Sequence, residues 1–350
     1  MKIAAIARIL LTFVLTISVI IVGGSLTEFQ VSSQNLAQNL QAERQGAKEP
    51  KFSLPIQCKL GQDCFIQLYS DRDSGKAEID WGCGRLTYDG HTGTDFAIPN
   101  QAAMARGVQV LAAAKGKVLR IRDGVNDLPL KDRNDPRIKG QECGNGVVVE
   151  HGNSWQTQYC HLRRGSVVVK PGDLVNSGSQ LGLVGESGMA SFPHVHFEIR
   201  HQNKVVDPFM GETVGTRCLR KPQSLWQNPL AYISTGFIDA GFTNLLPTVE
   251  QAEQGNMSME KLTKQSNALI FWIRAYGVLE GDEEQYQILA PDQSVFSDRV
   301  QKITKSSKSW FSYTGKRNTQ TLSPGEWQGK YSLIRNGNPV FQISRKLLVN

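Results

Sequence analysis

Residues 192–200, "FPHVHFEIR", decide the fold at the centre of this chain. In a β-strand, alternate residues point to the same face of the sheet. His194 and His196 therefore share one face, while Val195 and Phe197 point to the other face, into a core. Two imidazoles at this spacing do not readily bind one metal ion. The strand predicts one metal ligand with a second histidine beside it.

A second stretch, residues 90–99, "GHTGTDFAIP", places Asp95 four positions after His91. In an extended strand these two residues would lie about 13 Å apart, but a turn around Gly93 would bring imidazole and carboxylate together. Both groups are normal zinc ligands, and three protein ligands with an open fourth position are the pattern of a catalytic zinc site. His161 in "YCHL", at the predicted end of a strand, is a further base that could reach the same groove.

The pattern of the chain predicts a mainly β protein. Among 350 residues there are 33 glycines, and short runs such as "GVVVEHG" and "WQTQYCHL" alternate with turn signals such as "PGD" and "GESG". The two runs predict one antiparallel hairpin that turns near Gly152. Residues 123–142 are charged and lack apolar periodicity, so we predict a long surface loop that forms one wall of a substrate groove.

Composition divides the chain into five segments. We predict a signal peptide or N-terminal anchor at residues 1–24, a polar linker at 25–50, the metal-binding domain with lead-in strands at 51–210, a connector at 211–232 and an accessory β-sandwich-like domain at 233–350. In the last segment Asn336-Gly337 predicts a hairpin, because a type I′ turn needs positive φ at both central residues. This segment contains no histidine or cysteine, so we expect it to pack, position substrate or bind a protein partner.

The N-terminus predicts export. Lys2 and Arg8 lead into an apolar run at residues 9–22, which is typical of a signal peptide, and small residues predict a cut after Gly24. The alternative is an uncleaved anchor that tethers the protein to a membrane through residues 9–22. The net charge of +7 is spread along the chain without a basic run, which argues against a nucleic-acid partner.

The cysteines agree with an oxidising compartment. They are even in number and lack zinc-type Cys-x-x-Cys spacing, so we expect disulfides. Cys58 and Cys64 are close enough for a local bridge. Cys143 lies near the end of the predicted hairpin that pairs with Cys160, and is a candidate mate for it. The sequence alone does not choose among the 15 pairings that six cysteines allow. The six are Cys58, Cys64, Cys83, Cys143, Cys160 and Cys218.

Five motifs in order give the chain a specific resemblance. "GHTGTDFAIP", "GNGVVVEHG", "YCHL", "PGDLVNSGSQLGLVGESG" and "FPHVHFEIR" follow one another as in the lysostaphin/LytM-type zinc metallopeptidases. The match covers about residues 80–210, and the stretch before it is similar to the lead-in of a Gram-negative exported branch. The resemblance implies the duplicated hybrid motif fold, a small antiparallel β-sheet core with its site in a groove.

The resemblance also implies roles for individual residues. It makes His91, Asp95 and His196 the ligands of a Zn²⁺ ion, and His161 and His194 the catalytic histidines. The implied activity is hydrolysis of peptide cross-links or stem peptides of peptidoglycan by a zinc-activated water. The implied location is the periplasm or cell envelope, with an inner-membrane anchor if the apolar segment is kept.

Rival functions remain open on the sequence alone. The main rival is a catalytically latent regulator of this type that activates a cell-wall amidase. Some relatives of this fold have lost their zinc ligands and act in this way, whereas the ligand set here is complete. A polymer-binding module and a processing peptidase for an exported protein are two further readings. Cys160, the long loop at 123–142 and the C-terminal domain depart from the commoner family pattern. The first departure bears on redox chemistry, and the other two bear on the choice of substrate.

Three other polar residues receive structural interpretations. Glu198 lies on the same strand face as the paired histidines, and we expect a salt bridge between it and a nearby arginine. His151 is expected in a turn and His201 in a charged surface stretch, so neither is predicted to be catalytic.

Overall fold

The computed structural model describes residues 49–130, 135–215 and 222–350. The predicted signal peptide or anchor, the polar linker up to residue 48, and Cys218 lie outside these residues. Across the three described ranges, every helix is too short or too polar to cross a membrane.

The first part of the chain is built mainly of antiparallel strands. In chain order its elements are β1 (Phe65–Leu68), β2 (Thr94–Ala97), helix α1 (Gln101–Arg106), β3 (Gln109–Leu111), β4 (Gly116–Arg122), a 3₁₀ turn (Pro136–Ile138), β5 (Asn145–Glu150), β6 (Trp155–Leu162), β7 (Leu174–Val175), β8 (Gln180–Leu183), β9 (His194–His201), β10 (Lys204–Asp207) and β11 (Glu212–Thr213).

Strand β9 lies in the interior of the main sheet, whose order is β1-β2-β9-β6-β5-β4-β7, with β10 and β11 attached beyond β9. Val195, Phe197 and Ile199 are fully buried on one face of β9, as the alternation predicts. The opposite face carries His194 and His196. The predicted mainly β, antiparallel fold is therefore confirmed, and one strand supplies both a core and a polar site.

The predicted hairpin is strands β5 and β6, which turn through residues 151–154. Its far end is irregular: Val147 pairs with Tyr159, but Asn145 pairs with Leu162. Two residues of β6, Cys160 and His161, therefore oppose one residue of β5. Such a β-bulge bends the strand and changes the direction of a side chain, a feature that the alternating pattern does not reveal.

The C-terminal part forms two more sheets around a second core. Its elements are β12 (Gly236–Thr243), helix α2 (Val249–Gln254), β13 (Lys261–Leu262), β14 (Ala268–Tyr276), β15 (Glu283–Leu289), β16 (Val295–Lys302), β17 (Trp310–Arg317), β18 (Gly325–Arg335) and β19 (Asn338–Val349). The sheets have the orders β12-β14-β17 and β13-β19-β18-β15-β16. Phe271 of the first sheet shares a buried cluster with Tyr286 and Tyr331 of the second.

The Asn336-Gly337 turn joins β18 to β19 with φ of 50° and 78°, so the type I′ hairpin prediction is confirmed. The exact domain bounds read from composition remain predictions.

Specific contacts connect the C-terminal sheets to the first part. Arg274 Nη1 donates to the carbonyl oxygen of Pro99 at 2.8 Å, and Phe65 stacks on Tyr276 with ring centroids 5.1 Å apart. Asp239 accepts a hydrogen bond from Asn100 at 2.9 Å, the residue that caps helix α1. The C-terminal sheets thus support β1 and the segment that follows β2.

Candidate active site

Two neighbouring strands bring together the first pair of site residues. Asp95 on β2 is the direct partner of His196 on β9, and direct partners of antiparallel strands project from the same face. Their side chains meet, with 2.9 Å between Asp95 Oδ1 and His196 Nδ1. The carboxylate is buried, whereas 12% of the His196 side chain remains exposed.

His91 completes a cluster of three from the loop before β2. Its Nε2 lies 3.1 Å from Asp95 Oδ1 and 3.1 Å from His196 Nδ1. The loop bends at Gly93, so the predicted meeting of His91 and Asp95 is confirmed. Asp71 fixes this loop, because its amide donates to the His91 carbonyl and its carboxylate accepts from Gly90 N.

The chemistry of this donor set fits a divalent metal. One atom from each of His91, Asp95 and His196 lies within 4.8 Å of the others. His91 Nδ1 contacts the carbonyl oxygen of Tyr69 at 2.7 Å. Since a carbonyl can only accept, Nδ1 carries the proton and Nε2 keeps its lone pair facing the cluster. Two ring nitrogens and a carboxylate at one point form the three-ligand set that catalytic zinc sites use.

Two more histidines lie beside this cluster. His194 Nε2 is 3.6 Å from Asp95 Oδ1, and the rings of His161 and His194 are 4.6 Å apart. Each donates Nδ1–H to a backbone carbonyl, His161 to Ser187 at 2.8 Å and His194 to Phe192 at 2.8 Å. Both rings therefore present an unprotonated Nε2 toward the groove.

The bulge in β6 explains how His161 reaches the site. Without it, His161 would share a face with Tyr159, which is fully buried. His161 instead adopts a left-handed φ of 63°, and its amide donates to the carbonyl of Cys143 at 2.8 Å. The disulfide between Cys143 and Cys160 ties together the segments on each side. Gly146 opposite leaves room, since a Cβ there would lie 2.6 Å from the Tyr159 carbonyl oxygen.

The environment sets the protonation of these groups. Burial alone would raise the pKa of Asp95, but the charges of His91 and His194 and hydrogen bonds from His196 and His91 outweigh it, so the pKa lies well below its ordinary value. Burial, reinforced by the neighbouring histidine charges, lowers the pKa of His161 well below its ordinary value. Burial also lowers the pKa of His194. At neutral pH Asp95 is therefore ionised, the form that binds metals, and His161 and His194 are neutral, the form that accepts protons.

His196 differs from the other histidines. Burial disfavours its charged form, but the hydrogen bond and charge of Asp95, and then the charge of Glu198, raise its pKa. A metal ion at this position would take the place of that proton between the ring and the carboxylate.

Four of the five residues, Asp95, His161, His194 and His196, border an open groove of about 620 Å³, and His91 is buried behind them. Leu130 and Glu142 of the long loop lie in one wall, as predicted for residues 123–142, and Phe192 lies near the catalytic end. The loop is attached there, since Leu130 N donates to the Ala190 carbonyl at 2.8 Å. Both sulfur-bearing residues of the Cys143–Cys160 bridge also line the groove.

The bridges Cys58–Cys64 and Cys143–Cys160 confirm two predicted pairings. Cys83 is disulfide-bonded as well.

The structure also locates the three other polar residues. Glu198 is buried and accepts from Arg200 Nε, which confirms the expected salt bridge. His151 bonds to Thr157 at 2.8 Å, and His201 stacks on Trp155 with centroids 4.2 Å apart. Neither histidine lines the groove.

Two contributors escaped the sequence analysis. The backbone carbonyls that fix the histidine tautomers carry no residue-type signal. Tyr88 lines the groove and its ring centroid is 4.5 Å from that of His91. The sequence offered one clue to Tyr88, which is its position three residues before His91.

Comparison with known proteins agrees with this geometry. The profile of peptidase family M23 matches residues 89–208. The peptidoglycan DD-endopeptidases ShyB and ShyA of Vibrio cholerae are 34% identical over 117 residues and 35% identical over 109 residues. These matches cover 33% and 31% of this chain but only 22% and 20% of the relatives. The cell division protein DipM of Caulobacter vibrioides is 44% identical over 64 residues, which are 18% of this chain and 10% of that protein.

Solved structures include a zinc-containing peptidase from Vibrio cholerae at 28% identity, with a TM-score of 0.27 over 41% of this chain and 39% of that one. The catalytic domain of lysostaphin from Staphylococcus simulans is 22% identical, with a TM-score of 0.25 over 40% of this chain and 84% of that one. At these TM-scores the structural likeness carries no conclusion about function. The profile match does identify the family of one segment: residues 89–208 form a domain that matches peptidase family M23, the lysostaphin/LytM family.

Proposed function

We propose that this protein is an exported zinc metalloendopeptidase that hydrolyses peptide cross-links or stem peptides of bacterial peptidoglycan. The observation that carries the proposal is the meeting of His91, Asp95 and His196 at one point, beside a groove that Asp95 and His196 line together with two neutral histidines. This arrangement lies within a domain of a peptidase family.

His91, Asp95 and His196 would hold the metal. When bound, Zn²⁺ supplies Lewis-acid chemistry, which polarises a peptide carbonyl and makes water a stronger nucleophile near neutral pH. Asp95 is ionised and the His91 tautomer is fixed by the Tyr69 carbonyl, so these two ligands are ready without rearrangement.

His161 and His194 would move the protons. Their Nε2 atoms face the groove in the unprotonated form, so either can accept a proton from the attacking water. Once protonated, the same ring can donate to the leaving amine or stabilise the negative charge on the carbonyl oxygen. The carbonyls of Ser187 and Phe192 hold both rings in orientation during these transfers.

The names of the relatives favour a peptidoglycan substrate. ShyA and ShyB are peptidoglycan DD-endopeptidases, so we propose the D-Ala–diaminopimelate cross-link as the bond cleaved if the host wall contains it. The open groove suits an extended peptide, because the walls leave the histidine cluster accessible from one side.

Export is part of this proposal. The apolar run at residues 9–22 would direct the protein to the periplasm or cell envelope, as a cleaved signal or an inner-membrane anchor. The bridges Cys58–Cys64 and Cys143–Cys160 support an oxidising compartment. The C-terminal sheets would bind a protein partner or position the wall polymer.

Digestion of intact peptidoglycan tests the proposal. Zinc-loaded full-length protein should release cross-linked dimers as monomers, read by mass spectrometry of muropeptides. His196→Ala should abolish release, because it removes a ligand, whereas His201→Ala, on the same strand but outside the groove, should not.

The products separate this function from its rivals. An amidase activator would give no cleavage alone but free stem peptides when an amidase is added, and a processing peptidase would leave sacculi intact. A polymer-binding module would bind sacculi without any product. Any of these results with fully zinc-loaded protein would overturn the proposal.

A further inference from the structure

A second polar pair lies in the same groove, away from the metal ligands. Glu198 and Arg200 continue the face of β9 that carries His194 and His196, and all four line the groove. A strand rises about 3.3 Å per residue, so the Cα atom of Arg200 is about 13 Å along the groove floor from that of His196. A bound peptide would therefore span the distance from His196 to Arg200 in about four residues.

The guanidinium of Arg200 is fixed on one side and open on the other. Its Nε donates to Glu198, whose side chain is 3% exposed, while 36% of the Arg200 side chain is exposed. Within residues 49–130, 135–215 and 222–350, its two terminal nitrogens make no hydrogen bond and no second ion pair. A buried carboxylate thus holds Nε of the guanidinium, and the two terminal nitrogens of this groove-lining residue have no partner within those ranges.

The neighbours on the two adjacent strands do not neutralise this group. Arg200 lies opposite Gln156 of β6 and Val205 of β10, and Gln158 of β6 is the direct partner of Glu198. Gln158 also lines the groove. Amide side chains carry no charge, so Glu198 is the one acid among these direct partners.

We propose that Arg200 forms a substrate-carboxylate subsite, with Glu198 as its positioning residue. A guanidinium presents two parallel N–H donors that match the two oxygens of a carboxylate. Stem peptides of peptidoglycan carry free carboxylates, so the ligand is a carboxylate about three to four residues from the bond cleaved. This inference rests on the proposed function, and it names the feature of the substrate that the groove selects.

A matched pair of substrates tests the subsite. One is a cross-linked muropeptide with free carboxylates, and the other is the same muropeptide with those carboxylates amidated. We expect wild-type, zinc-loaded protein to prefer the first by about ten- to a hundredfold in kcat/KM, the range for a charge-assisted hydrogen bond. Arg200→Gln should remove the preference, and Arg200→Lys should restore only part of it, because lysine lacks the planar pair of donors.

Lys204→Gln is the control, since it removes one exposed positive charge from the adjacent strand β10. It should leave the preference unchanged. Bound zinc and the melting temperature are measured for every variant, so that a loss of folding is not read as a loss of selectivity. Equal kcat/KM for both muropeptides in the wild type would overturn the subsite and leave the proposed function intact.

Direct binding keeps the subsite testable if no cleavage occurs. Titration calorimetry of the same two muropeptides into zinc-loaded wild type and Arg200→Gln measures selectivity without turnover. Selective binding of the free carboxylate form by the wild type alone would support the subsite even if the proposed function failed. Equal affinities would overturn it.

Discussion

Breaking the bridge between Cys143 and Cys160 should damage catalysis more than it damages folding. The double substitution Cys143→Ala with Cys160→Ala removes a link between residues 17 positions apart. By closing this loop in the unfolded chain, the link contributes about 3 kcal/mol to folding stability. Replacing Cys58 and Cys64 by alanine removes a link of separation 6, worth about 2 kcal/mol. The two variants thus lose comparable stability, and the second serves as the control.

Their effects on turnover should differ. The bridge holds the bulge in which His161 has a φ of 63°. This conformation costs a non-glycine residue about 1–3 kcal/mol and persists only where its surroundings enforce it. Without the bridge, the amide of His161 can leave the Cys143 carbonyl and the ring can leave the groove. Loss of one general base lowers kcat by about 10²–10⁴-fold, so a partial loss of position should lower it at least about tenfold.

The assay compares kcat and KM of both double variants at a temperature where each is folded. NMR titration of the His161 ring gives a second readout: its pKa should rise toward the ordinary value as burial is lost, and should stay low in the control. Unchanged kcat after loss of the Cys143–Cys160 bridge, in folded and zinc-loaded protein, would refute this reasoning.

Four further substitutions test the catalytic histidines, the metal ligands and the pKa of a buried carboxyl. His161→Ala and His194→Ala should each keep one bound zinc but lower kcat by about 10²–10⁴-fold; loss of zinc in metal analysis would instead make the replaced residue a ligand. Gly93→Ala would place a Cβ 2.5 Å from His196 Nε2, so the ring must move and zinc affinity should fall about 10–100-fold in a chelator competition, whereas unchanged affinity would contradict the ligand assignment. Burial raises the pKa of Glu186 to about 7, so the stability that this residue contributes is present below its unfolded pKa of about 4.3 and is lost as pH rises through the folded value. Glu186→Gln should therefore be roughly 1–2 kcal/mol more stable than wild type at pH 8, after allowance for solvent screening, but not at pH 4; equal urea midpoints at both pH values would argue against the raised pKa.

The sequence predicted the site well where chemistry and periodicity coincide. Alternation in residues 192–200 gave the face of β9 on which His194 and His196 lie, because one face had to be buried. The spacing of His91 and Asp95 required only a local turn to bring them together, and the structure contains it. The Asn336-Gly337 hairpin followed from turn chemistry alone.

Features that depend on distant backbone contacts were not predictable in this way. The bulge at Cys160 adds one residue to a strand, and a period of two cannot reveal where alternation breaks. The carbonyl that fixes His161 belongs to Ser187, which is distant from β6 in the sequence. The carbonyl that fixes His194 belongs to Phe192, just before β9. Any residue type can supply a carbonyl, so neither contact leaves a signal in the sequence. The terminal nitrogens of Arg200 have no acidic partner on the neighbouring strands. Which residues lie opposite Arg200 is set by the strand order and register of the folded sheet, not by its own sequence neighbours.

Zinc titration of metal-free, full-length protein tests the central claim most directly. Zinc is added in steps to a known amount of protein with peptidoglycan, and the loss of cross-linked muropeptides is followed by mass spectrometry. The account predicts that cleavage rises in proportion to added zinc and saturates at one equivalent, with none in His196→Ala. Cross-linked muropeptides that remain intact after a full equivalent has bound would contradict it.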